Sequence, residues 1–110
     1  MPTVNIYYKN SEEELKIEFL VENLKRYLAG ELSCKDIRLK PDEISVRLLK
    51  VNGDGMLGLI ELEVKVHQFK DRVKRQDKIC KNIVNFIRTQ EPTFKNIKVW
   101  LILSELGHSW

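Results

Sequence analysis

Residues 3–8 alternate between apolar and polar side chains around Val4-Asn5-Ile6-Tyr7-Tyr8, and a period of two predicts a β-strand. The period then lengthens. Ile17, Leu20, Val21, Leu24 and Leu28 recur at helical spacing and predict a first helix over 11–29. Ser11 and Glu14 have the spacing of a capping box, the acidic run Glu12-Glu13-Glu14 suits the positive end of a helix dipole, and Gly30 offers a stop. After a connection that contains Pro41, the run Ile44–Val51 (ISVRLLKV) predicts a second strand. Asn52-Gly53-Asp54-Gly55 supplies two hairpin-turn dipeptides in succession. Beyond it, in a third strand over 57–66, Ile60, Leu62, Val64 and Val66 alternate with Glu61, Glu63, Lys65 and His67. A second helix is predicted over 71–89, with Ile79, Cys80, Ile83, Phe86 and Ile87 on its buried stripe and Pro92 past its end. The last strand, Ile97–Leu103, is apolar on both faces, so it lies either in the centre of a sheet or under another subunit.

The order is therefore β-α-β, hairpin, β-α-β. Each half forms a parallel strand pair joined by a crossover helix. The expected fold is α/β (α+β): one domain over 1–110, with a four-stranded mixed sheet and both helices on one face. The other face carries mixed polar and apolar groups and has no cover within one chain, which predicts an oligomer.

Composition narrows the function classes. With 43% hydrophobic and 32% charged residues, the 110-residue chain has a globular balance and enough length for one core. A net charge of +3 permits an anionic ligand without calling for nucleic acid. Cys34 and Cys80 form no CxxC pair; Cys80 falls among core positions, and nothing in the pattern supports a disulfide. No signal-peptide pattern and no apolar run of about 18 residues is present, so no membrane span is predicted and a cytoplasmic location is expected.

Candidate chemistry is sparse. NGDGMLGLIELE has Gly55 and Glu61 where a calcium loop needs them, but Lys50 occupies the first-ligand position and strands flank the segment, so the hairpin reading is preferred. His67 and His108 are the only histidines and have no third ligand at useful spacing; His67 reads as an exposed strand end and His108 as a tail residue. No metal or cofactor site is predicted. The βαββαβ order is shared with RNA-recognition modules, but the third strand lacks the aromatics that stack bases. Two features point elsewhere. If Met1 is removed, Pro2 presents a free secondary amine, a base titrating near ~8 that apolar surroundings or nearby cations would lower. Arg47, inside an otherwise apolar strand, is either an exposed edge cation or a guanidinium suited to bidentate carboxylate binding; Lys40, just before Pro41, is a second cation of the same kind.

Pro2 at the start of strand one, the βαββαβ order and the segment ISVRLLKVNGDGMLGLIE together resemble the tautomerase superfamily, which includes 4-oxalocrotonate tautomerase and macrophage migration inhibitory factor. The segment SVR followed by apolar residues and a Gly-containing hairpin is similar to the first of these. The Lys40-Pro41 pair is similar to a Lys-Pro in the inhibitory-factor branch, whose length this chain shares. The resemblance implies that Pro2 acts as general base and then acid, moving a proton between carbon and oxygen of a small α-keto or enol carboxylic acid. It implies that Arg47 binds the substrate carboxylate or polarises the carbonyl, with Lys40 assisting. Lys9 stands in the loop where 4-oxalocrotonate tautomerase carries an arginine. A homotrimer with sites between subunits is implied, and no cofactor. The alternatives are a non-catalytic binding or regulatory oligomer of the same fold and an RNA-binding βαββαβ module. If Met1 stays, the Pro2 nitrogen is a tertiary amide and neither base nor nucleophile.

Overall fold

The structure is a computed structural model that describes residues 2–34, 37–53 and 59–104. Strand β1 (Thr3–Tyr8) leads into helix α1 (Ser11–Leu32), a short 3-10 turn (Pro41–Glu43) and strand β2 (Ser45–Lys50). Strand β3 (Ile60–His67), helix α2 (Lys70–Lys74), helix α3 (Gln76–Gln90) and strand β4 (Ile97–Ser104) form the second half. The strands make one mixed sheet in the order β2-β1-β3-β4. Each half contributes a parallel pair, β1 with β2 and β3 with β4, and the halves meet at an antiparallel β1–β3 seam. This is the expected β-α-β-β-α-β layout.

Alternation along the strands builds the core. Val4, Ile6 and Tyr8 of β1 and Ile60, Leu62, Val64 and Val66 of β3 are buried on the helix-bearing face. Ile17, Leu20, Leu24 and Leu28 of α1 and Ile79, Ile83 and Ile87 of α3 close over them. Each such side chain contributes about 1.5–3 kcal/mol by leaving water, so the two central strands and the two helix stripes carry most of the hydrophobic driving force. Tyr27 and Phe86 stack with ring centroids 4.2 Å apart where α1 meets α3.

Several local expectations are corrected. Helix α1 runs through Gly30 and ends at Leu32, because Leu32 is itself buried in the core. Ser33 then closes the helix, its hydroxyl donating to the Ala29 carbonyl and accepting from the Leu39 amide. The N-cap is Asn10 rather than Ser11, and no side-chain capping bond forms there; the Asn10 carbonyl instead takes the Glu13 and Glu14 amides. The predicted second helix is broken at Arg75 into α2 and α3. Strand β3 is shifted to Ile60–His67. Of the two places open to β4, the central one is excluded: it is an edge strand with Trp100 and Ile102 exposed. Both cysteines are free. In the hairpin, Gly53 has φ of +99°, a left-handed conformation that favours glycine. Asp54, Gly55 and Leu57 lie outside the described residues, as do Met1, His108 and Trp110.

Candidate active site

Pro2 is buried at the leading end of β1, where its carbonyl accepts the Ser45 amide at 3.1 Å and ties it to the start of β2. It helps to line a cavity of about 170 Å³. Ile37 and Leu39, from the connection after α1, form one apolar wall; Val66 and Phe69, from the end of β3 and the turn beyond it, form another. Of the described residues, His67 and Arg72 make up the rest of the lining. The connection is held in place by reciprocal backbone bonds between Cys34 and Ile37 and by the Leu39 amide on Ser33 Oγ.

Arg72 gives the cavity its charge. It is only 1% exposed, the largest fully buried side chain of the described residues. Nε and Nη2 donate to the Leu32 carbonyl at 3.0 and 2.8 Å, and Nη1 donates to the His67 carbonyl at 2.8 Å. The guanidinium also lies 4.7 Å from the centroid of the Phe69 ring. Burial pulls Arg72 below its ordinary pKa, with Cys34 and Asp71 opposing that shift and Arg75 adding to it. A guanidinium nonetheless stays protonated. It carries five N–H bonds, of which these three contacts use three. Among the described residues no carboxylate pairs with it; the ion pair of this region is Arg75 with Asp71, at 3.0 Å. The cavity thus holds a buried cation that neutral carbonyls fix and no carboxylate of the described residues balances, and a charge left without a counter-ion is costly.

The residues singled out from the sequence are scattered within one chain. Pro2 lines the cavity. Lys40 is exposed and starts the 3-10 turn, its amide bonded to Glu43 Oε1; its neighbour Leu39, not Lys40, lines the cavity. Arg47 is exposed on the edge strand β2, on the sheet face away from the helices and in register with Asn5. Lys9 follows the far end of β1, about 20 Å of strand away from Pro2. His67, expected to be exposed, is half-buried and lines the cavity, because β3 runs on to it and Arg72 fixes its carbonyl. Arg72 was hidden from sequence reasoning inside the basic run 70–81; its spacing from the β3 end carries no periodic signal. A larger depression of about 370 Å³ lies between Gln68, Lys70, Val73 and Lys74, all four exposed, so it lacks the buried charge of the Pro2 cavity.

The uncovered sheet face has its own polar centre. Tyr7 donates to Glu63 Oε1 at 2.6 Å and Asn5 Nδ2 reaches the same oxygen at 3.4 Å, while Trp100 Nε1 donates to Glu61 Oε1 at 3.2 Å. The bond to Glu63, and then burial, pushes the Tyr7 phenol up. Asn5 is 8% exposed, and its Oδ1 is buried without a partner among the described residues.

No family model matches the chain. No curated protein matches it in sequence. Solved structures do match. A protein of unknown function from Vibrio cholerae superposes with a TM-score of 0.70 at 18% identity, covering 99% of this chain and 82% of its own. A 5-carboxymethyl-2-hydroxymuconate delta-isomerase follows at 0.62 and 8% identity, with coverage of 100% and 85%. A macrophage migration inhibitory factor-like protein from Entamoeba histolytica gives 0.52 at 10% identity, with coverage of 98% and 95%. The chain thus has the fold of the tautomerase superfamily.

Proposed function

We propose that the chain, once Met1 is removed, is a tautomerase that shuttles a proton between carbon and oxygen of a small α-keto or enol carboxylic acid. The observation that carries this reading is the shared cavity of Pro2 and Arg72. Arg72 holds the substrate carboxylate through its two remaining N–H bonds. The Pro2 amine, free once Met1 is gone, lies in the same largely apolar cavity as Arg72 and serves as the general base. Arg47, Lys40 and Lys9, none of which lines this cavity, belong to the proposal only as cations that a neighbouring subunit brings near. The solved tautomerase-fold structures, among them an isomerase of a hydroxymuconate, support this class of chemistry.

The same proposal includes a homotrimer in the cytoplasm. Leu49, Trp100 and Ile102 stand exposed on the uncovered sheet face. The unpartnered Asn5 Oδ1 on that face would gain a donor from a second copy. No helix of the described residues is long and apolar enough to cross a membrane.

The test is ketonisation of enol phenylpyruvate by the Met1-free protein. Activity should fall at least about 10²-fold in Pro2→Ala. Equal rates would remove Pro2 from the mechanism; no activity in either form would favour the second reading, a binding oligomer that uses the Arg72 cation without chemistry.

A further inference from the structure

Proton transfer between carbon and oxygen has two ends, and Pro2 serves one of them. When a 2-oxo acid enolises, a base takes the proton from C3. The negative charge that develops on the C2 oxygen must then be met by a donor. Arg72 has three N–H bonds committed to the Leu32 and His67 carbonyls and faces the carboxylate with what remains. Among the other described residues lining the cavity, Ile37, Leu39, Val66 and Phe69 have apolar side chains, and His67 alone of these carries a proton-exchanging group.

We propose that His67 is the second proton carrier of this site; this rests on the tautomerase reading above. Its position is fixed from two sides. The imidazole packs edge-on against Phe69, with ring centroids 4.7 Å apart, and Phe69 in turn carries the Arg72 guanidinium at 4.7 Å. The His67 carbonyl accepts Arg72 Nη1, so the residue that holds the carboxylate also holds the backbone of the proton donor. Among the described residues the charged and titratable groups at the cavity are Arg72 and Pro2, and those close along the chain are Lys65 two residues back on β3 and Lys70 and Asp71 just beyond Phe69; Ser104 of β4 stands opposite in register.

The step balances without any oxidant. The C3–H bond breaks and its proton goes to the Pro2 nitrogen. The released pair forms the C2–C3 double bond. The carbonyl π pair takes a proton from the His67 imidazolium, giving the enol. Pro2 then releases its proton to water and His67 recovers one from water. The reverse direction uses His67 as base toward the enol O–H and protonated Pro2 as acid toward C3.

The experiment follows enol phenylpyruvate ketonisation by the Met1-free protein, with His67→Gln, His67→Asn and Pro2→Ala compared across pH. Expected is a fall in kcat of about 10²-fold in both His67 variants, KM within about twofold, and loss of one limb of the bell-shaped pH profile. As a measurement independent of the variants' folding, the wild-type His67 ring signal, assigned against His108, should shift on titration with phenylacetate. Wild-type activity that depends on Pro2 but leaves kcat unchanged in the His67 variants, or no shift of the His67 signal, overturns this proposal and spares the parent reading. A Met1-free wild-type protein that ketonises nothing overturns both.

Discussion

Arg72 on the second half of the chain donates twice to the carbonyl oxygen of Leu32, the last residue of α1, through Nε at 3.0 Å and Nη2 at 2.8 Å. One side chain thereby terminates a helix of the first half, anchors the end of β3 through the His67 carbonyl and lines the Pro2 cavity. Removing it leaves the buried Leu32 carbonyl and the half-buried His67 carbonyl without these partners. Arg72→Met should therefore lower unfolding stability by about 3 kcal/mol, and Arg72→Lys, which keeps a charge but not the fork, by about 2 kcal/mol. Urea unfolding measures both; a loss below about 1 kcal/mol would show that the bonds are replaced by water.

The same side chain explains what could and could not be read from the sequence. The four strands and the order of the helices follow from periodicity, because Val4, Ile6, Leu62 and Val64 on one face, and Leu24, Leu28 and Ile83 on their helices, must all be buried together. Pro2 was legible as a candidate because only its position at the chain start gives it chemistry. The pairing of Pro2 with Arg72 was not legible, because it depends on β1 and β3 lying antiparallel at the seam, with the start of one beside the end of the other. The break between α2 and α3 was hidden for a related reason: Arg72 is buried for its hydrogen bonds, not for apolar spacing. Gly30 misled because a buried Leu32 two residues on outweighs the cost of a glycine inside a helix, about 1 kcal/mol.

Tyr27 predicts how the fold responds to alkali. Burial first, and Glu31 after it, pushes its phenol up to about 12 from 10.0. The folded state thus holds this proton more tightly than the unfolded chain. The stabilisation is fully present below about 10 and is lost as pH rises through about 12. Stability measured by urea unfolding should fall across that window. Tyr27→Phe, which keeps the stack on Phe86, should make the fall shallower; an unchanged slope would contradict the assignment.

The edge strand β4 predicts assembly. Trp100 is 48% exposed and lies with Ile102 on the face that the helices leave bare. The protein should sediment at about three times its 13.0 kDa chain mass, and Trp100→Asp should bring it to the monomer. Sedimentation of the wild type at the chain mass would contradict a trimer built on this face.

The central claim concerns the nitrogen of Pro2, and one comparison addresses it with no change of side chain. Protein with Met1 retained and protein with Met1 removed differ at that atom as a tertiary amide differs from a secondary amine. Enol phenylpyruvate ketonisation should be at least about 10²-fold faster for the Met1-free form at equal concentration and fold content. Equal rates for the two forms would contradict the claim that the Pro2 amine carries the proton.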